Sequence, residues 1–247
     1  MNIHSRKQRG LSLISLMIAL LIGTFLLAGL FTVWFQTRTT FKTQNQMAQV
    51  QENQRMALTI LGNTVETAGY YPVAANYGTT PPNPLYTQAN VFPVTAPFTV
   101  VGQSVYGTHS GTTNDMLEVR FMADNLSNTL DCMGQTDTID TLVTNTFQID
   151  ANNNLTCSVN GKTALPIIPN IKSFTVLYGV STTHDNSVTE YLTADQVTAN
   201  ALWGFVQSLS IQLTFLNPMF GQPGVPGQTT STLPMISRTI LLPQTAK

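Results

Sequence analysis

The chain has 247 residues, a formal net charge of −1 and only 9% Asp, Glu, Lys and Arg, against about 25% in ordinary globular domains. It lacks the basic excess that holds a phosphate backbone, so double-stranded nucleic acid is excluded as a main ligand. Thr, Asn, Gln, Ser, Gly and Pro carry the surface polarity instead, the composition of an exported, loop-rich β protein.

Residues 1–10, MNIHSRKQRG, place Arg6, Lys7 and Arg9 directly before residues 11–35, a run without charge. As a helix this run is about 37 Å long, enough to span a ~30 Å hydrocarbon core with some tilt. Its polar side chains, Ser12, Ser15, Thr24 and Thr32, can bond back to the helix's own carbonyls. Positive residues at the N-terminal edge keep that edge cytoplasmic and put the C-terminal part across the membrane. A secretory signal would have a shorter apolar core closed by a small-residue cleavage site. Here the small residue, Gly10, precedes the run, so a cut there removes the charges and leaves the helix on the product.

This arrangement resembles a class III prepilin signal, and Arg9-Gly10 followed by LSLISLMIALLIG is similar to the N-terminus of type IV pilins and pseudopilins. The resemblance implies cleavage by prepilin peptidase between Gly10 and Leu11, and N-methylation of Leu11. Loss of Arg6, Lys7 and Arg9 takes the formal charge from −1 to −4. The family usually carries Glu at the fifth position after the cut, thought to pair with a neighbouring subunit's amine inside the apolar filament core. This chain has Ser15 there, which supplies no charge. The subunit is therefore expected at a special place such as the filament tip, or in small numbers; the alternative is that Ser15 is neutral drift.

The helix is expected to continue through residues 36–68, where Met47, Val50, Ala57, Leu61, Val65 and Ala68 make one apolar stripe that docks a globular domain. No proline occurs before Pro72, and Gly23, Gly29 and Gly62 are soft points only. Gly69 before Tyr70, Tyr71 and Pro72 ends the helix. The segment QENQRMALTILGNTVETAGYY resembles the PilW family of minor pilins at Asn53, Arg55, Ala57, Leu58, Ala68, Gly69 and Tyr70. Arg55 is expected to cap the helix or bridge to the domain.

Residues 72–97, rich in proline, read as a long surface loop. Strands are predicted at 98–106, 116–122, 141–149, 155–159, 172–180, 208–216 and 236–242, with a turn at 150–154. In the 116–122 strand Glu118 and Arg120 alternate outward against Leu117, Val119 and Phe121. Residues 193–203 read as a short helix with Thr193 and Gln196 at capping-box spacing, and 220–234 as a Gly/Pro loop. NDMLEVRF, IKSFTVLYGV and ALWGFVQSLSIQL are also similar to PilW patterns, at Asp115, Leu117, Val119, Tyr178, Gly179, Trp203, Val206, Leu209, Ile211 and Leu213. The last strand departs from them, with Pro243 where the family tends to keep a basic residue. The fold class is α+β and pilin-like, with one mainly antiparallel sheet laid across residues ~45–68 of the helix. The expected divisions are a 1–10 leader, an 11–35 membrane and filament-core helix, its 36–70 amphipathic continuation and a 71–247 β-rich globular domain.

Cys132 and Cys157 are expected to pair as a disulfide in the oxidising compartment beyond the membrane, the alternative being two buried free thiols. His4 lies in the leader, while His109 and His184 lack ligand spacing and read as surface-loop residues. Asp131, Asp137, Asp140 and Asp150 near the cysteine loop read as a solvated acidic patch without an EF-hand pattern. No nucleophile elbow, Walker loop or dinucleotide fingerprint occurs, so no catalytic, cofactor or metal site is expected. The resemblance implies a structural minor pilin held in the inner membrane of a Gram-negative bacterium with a periplasmic domain, then moved into the pilus. Its expected partners are other minor and major pilins and prepilin peptidase, with DNA contact confined to the tip. The alternatives are a minor pseudopilin of type II secretion and a tip adhesin or DNA-binding module using the 72–97 and 220–234 loops.

Overall fold

A computed structural model describes residues 12–72, 87–109, 111, 114–123, 128–136, 141–183, 187–222 and 229–243. Helix α1, Leu13–Glu66, runs unbroken for 54 residues, about 80 Å at 1.5 Å per residue. Thr67 closes it through its N–H to Asn63 O, and Gly69 takes a φ of 75°, the left-handed conformation that a Cβ disfavours. Val50, Ala57, Leu61, Val65 and Ala68 are buried and Met47 half-buried, so the stripe read from spacing is the docking face.

The strands form two antiparallel sheets rather than the single one expected. The first is a five-stranded meander of β1 (Val105–Thr108), β2 (Met116–Ala123), β3 (Thr141–Ile149), β4 (Leu155–Val159) and β5 (Leu165–Ile168). The second has four strands in the order β7 (Glu190–Leu192), β6 (Ile171–Val180), β8 (Val206–Phe215) and β9 (Ile236–Leu241). Between β5 and β6 lie Pro169, which has no N–H to continue a ladder, and Asn170 at φ 65°, so the chain leaves one sheet and enters the other. The strands β5 and β7 escaped sequence reading. The first contains a proline on a sheet edge, and the second has only three residues.

Where β7 stops, the open edge of β6 is taken by Asn114 and Asp115. The Asn114 Oδ1 accepts the Phe174 N–H at 3.2 Å, and the Asp115 N–H donates to Phe174 O at 2.8 Å. Asp115 Oδ2 accepts the Val176 N–H at 2.8 Å while Oδ1 lies 2.8 Å from His109 Nδ1. The Asn-Asp pair thus stitches the two sheets together, and His109 is engaged in that seam rather than free on a surface loop. His184 lies outside the described residues. Behind the seam Leu117, Phe121, Phe147, Phe174, Leu213 and Phe215 are wholly buried, each contributing roughly 1.5–3 kcal/mol.

The strand expected over 98–106 shrinks to β1. The side chain of Gln103 is the cause: its Oε1 accepts the N–H groups of Thr99 and Val100 at 2.9 and 3.1 Å, and its Nε2 donates to Val105 O at 2.9 Å. Buried and fully engaged, it holds 99–104 as a compact loop. The proline-rich stretch also carries a one-turn helix, α2 (Gln88–Val91), where no regular structure was expected; residues 73–86 lie outside the described residues. Helix α3 (Ala194–Ala199) begins as the spacing predicts, with Gln196 Oε1 accepting the Thr193 N–H at 2.9 Å, and a 3-10 turn (Trp203–Phe205) follows it.

Glu118 on β2 is half-buried, and desolvation raises its carboxyl above the ordinary glutamate value despite the opposing hydrogen bond from Thr146 Oγ1 at 3.4 Å. The folded state therefore holds this proton to higher pH than the unfolded chain. Its stabilising contribution is complete below the unfolded pKa and is lost as pH rises through the folded one. Glu118→Gln is expected to match wild type in urea unfolding at acid pH and to exceed it near pH 7. Equal stabilities at both pH values would contradict this.

Candidate functional site: the exposed apolar rod and its mooring

Every described residue from 12 to 35 except Gly23 is exposed, and Leu13, Phe25, Leu26, Leu30 and Phe31 present most of their surface. An exposed apolar surface of this length is long enough to cross a membrane and must otherwise be covered by other apolar surface. Its hydroxyls are satisfied locally, as expected: Ser15 Oγ donates to Ser12 O at 2.8 Å, Thr24 Oγ1 to Leu21 O at 3.0 Å and Thr32 Oγ1 to Ala28 O at 2.9 Å. At the end of the run the Arg38 guanidinium lies 5.4 Å from the Trp34 ring centroid, an aromatic and cation pair of the kind that marks an interface. Gly10 and Leu11 lie outside the described residues.

Three devices fix the lower helix and its domain: sequence reading missed the first and misassigned the second, and it expected the third. The first is Arg238 of β9. Its Nη1 donates to Leu58 O at 3.2 Å and its Nη2 pairs with Glu66 Oε1 at 3.1 Å. The guanidinium lies across Gly62, where a Cβ would stand 2.6 Å from Nη1. Gly62 is therefore a seat for this side chain rather than a soft point. Arg55, expected to cap the helix or bridge to the domain, instead pairs with Glu52 on its own exposed helix face. The clue available in the sequence was the lone basic residue of an otherwise uncharged last strand.

The second device is Arg120, read as outward-facing but buried. The 92–104 loop folds over that face of β2. Arg120 Nε donates to Gln103 O at 2.6 Å and Nη1 to Pro93 O at 3.1 Å and Thr95 Oγ1 at 3.3 Å. Its guanidinium carbon is 4.0 Å from the Phe98 centroid and 5.5 Å from that of Phe92. Burial lowers its pKa to about 10, still well above neutral pH, so it stays a cation held by ring faces and carbonyls. Its backbone serves the helix exit: the Gly69 N–H donates to Arg120 O at 3.0 Å and the Met122 N–H to Tyr70 O at 2.8 Å. The clue was the two phenylalanines of a proline-rich loop, which need something to cover.

The third is the Cys132–Cys157 disulfide, with a Cα–Cα distance of 6.4 Å and a sequence separation of 25. It ties the 128–136 loop to β4, and the Cys132 N–H donates to the buried Asn145 Oδ1 at 3.1 Å. Asp131 Oδ1 accepts the Met133 and Gln135 N–H groups at 2.8 and 2.9 Å, and Asp150 Oδ1 accepts those of Asn152 and Asn154 at 2.9 and 2.8 Å. These two carboxylates shape their own turns, while Asp137 and Asp140 lie outside the described residues. Among the described residues no three His, Cys, Asp or Glu side chains are placed to hold a metal. On the flank of α1 away from Arg238 the disulfide loop walls a cavity of about 590 Å³ over Met56, Ile60 and Thr67.

Comparison with known proteins finds two matches to family models. Residues 131–233 match PilW, type IV pilus-assembly protein W, and residues 5–31 match the prokaryotic N-terminal methylation motif. A search of curated proteins gives no match. The first span covers the disulfide and most of the second sheet, and the second covers the basic leader and most of the exposed rod. Both agree with the PilW resemblance read from the sequence.

Gly→Ala in a helix interior normally gains about 0.5–1 kcal/mol. Gly62→Ala should show that gain only when combined with Arg238→Ala, and should be neutral or destabilising alone, because the new methyl displaces the guanidinium. Additive effects in a denaturant double-mutant cycle would contradict the seat. Replacing both cysteines by serine should cost about 3–4 kcal/mol for a loop of this length, measured as a lowered urea midpoint. An unchanged midpoint would show that the bond does not hold the loop.

Proposed function

From the match to type IV pilus-assembly protein W and the N-terminal methylation motif, we propose that this chain is a structural minor pilin of the type IV pilus. Residues 1–10 serve as the leader, and residues 11–35 hold the chain in the inner membrane with residues 71–247 on the periplasmic side. Prepilin peptidase cuts after Gly10, Leu11 is N-methylated, and the rod exchanges lipid for the helices of other pilins as the subunit enters the filament. There it helps to start pilus assembly, in support of twitching, adhesion or DNA uptake. Families of this kind are structural pilus components that act with other pilus components.

The observation that carries this reading is the contrast along one helix. Residues 12–35 are exposed on all sides, while Val50, Ala57, Leu61 and Val65 are locked to the sheets. A helix that is apolar all round needs lipid or other helices around it, whereas the moored lower third keeps the domain at a fixed distance from that environment.

Ser15 supports a place at the end of the filament or a low copy number. Its hydroxyl is engaged by Ser12 O and carries no charge, so it offers a neighbour's amine no counter-ion. Burying that amine unpaired is costly. Mass spectrometry of protein from sheared filaments is expected to find Leu11 as an N-methylated first residue. Recovery of the chain with residues 1–10 attached in cells with active prepilin peptidase would contradict the reading. Ser15→Glu is expected to raise the copy number in filaments, and an unchanged copy number would remove the argument from Ser15.

A further inference from the structure

Each sheet has two edges, and three of the four edge strands are short. The strand β1 has four residues and lies against α3. The strand β5 has four residues including Pro166, and a register shift breaks its pairing with β4. The strand β7 has only three residues, beginning with Glu190. Short length, proline, irregular pairing and charge are the means by which proteins blunt an edge.

The strand β9 is neither short nor interrupted. It is six residues long, contains no proline, and pairs with β8 in unbroken register from Ser208↔Leu241 to Leu213↔Ile236. The Leu242 N–H donates to Gln207 O, which fixes the alternation of the ladder. Ile236, Arg238 and Ile240 turn their backbone groups toward β8, and Ser237, Thr239 and Leu241 turn theirs outward. Among the described residues these outward groups have no hydrogen-bond partner. The strand's one charge, on Arg238, is drawn across to Leu58 O and Glu66 on α1, which leaves the outward row of backbone groups uncovered. Leu241, facing out, is 71% exposed, and Met235 beside the strand is 57% exposed.

We propose that β9 is a docking edge that accepts an extended segment of a different polypeptide of the same assembly, adding a fifth strand to the four-stranded sheet. What covers a row of free N–H and C=O groups is set by their geometry: another strand. A second copy of this chain does not fit. Its other edges are short, and antiparallel pairing of β9 with itself requires a two-fold axis perpendicular to the sheet. Helix α1 lies along that sheet, tied to β9 by Arg238, so the axis would point the two apolar rods in opposite directions. Such rods could not enter one membrane or one filament side by side. Parallel self-pairing needs a one-residue offset between copies, which no two-fold dimer allows.

This inference rests on the assembly reading above, and the experiment separates the two. A photo-crosslinking residue is placed at Leu241 of the full-length chain in cells, and adducts are mapped by mass spectrometry. The expected adduct joins Leu241 to one extended segment of another subunit. Thr239→Pro removes an outward N–H and no ladder bond. It is expected to abolish that adduct and to lower incorporation about fivefold relative to Thr239→Ala, the order expected for a lost backbone hydrogen bond with added steric conflict. Thermal unfolding should be unchanged; if the proline variant does not fold, Thr239→Lys replaces it. No adduct, an adduct only to a second copy of this chain, or full incorporation of the folded variant would overturn the proposal. Failure of the assembly reading has a different signature, the absence of the wild-type chain itself from filaments.

Discussion

The structure depends on one unfavourable surface. Residues 13–35 of α1 are apolar on every side and exposed on every side, and burying them against lipid or protein is worth about 25 cal/mol per Å² removed from water. Among the described residues no part of the globular domain covers them. The rest of the chain is arranged to leave them uncovered, so that the lower third of the same helix alone carries the domain.

The mooring of that lower third combines a half-exposed cation, Arg238, set directly on α1 with a buried one, Arg120, that holds the 92–104 loop beside the helix exit. Arg120 and Arg238 each direct a guanidinium at backbone carbonyls, one at a loop and one at α1. In a chain with only 9% charged residues these are not surface decoration. Each joins segments far apart in sequence, and breaking such a pair would leave a charge or carbonyl without its partner. Together with the disulfide and the Asn114–Asp115 seam, they make a domain whose position on the rod is defined. A subunit that is pulled by one end from lipid into a filament needs such a defined attachment.

Much of this was legible in the sequence because it rests on short-range pattern. The unbroken helix followed from the absence of proline before Pro72, its docking stripe from the spacing of Val50, Ala57, Leu61 and Val65, β8 from strict alternation, and β3 and β4 from the polar turn between them. What stayed hidden were contacts between distant residues. Arg120 occupies an outward position of β2, and nothing local says that Phe92 and Phe98 will fold over it. Gly62 looks like a weak point of a helix until Arg238, far along the chain, is seen lying on it. The division into two sheets turned on Pro169 and on Asn170 in a left-handed conformation, a choice the strand pattern alone does not reveal.

The central claim is that residues 13–35 exchange lipid for protein neighbours while the domain keeps its place on the rod. Cysteine crosslinking in intact cells tests it most directly, with Leu26→Cys in this chain and single cysteines at matching depths in other pilus subunits. The account predicts disulfide-linked pairs in sheared filaments that vanish when the assembly motor is absent, with the Arg238 mooring intact. Recovery of the Leu26→Cys chain only from the membrane, unlinked whether or not the motor runs, would contradict it.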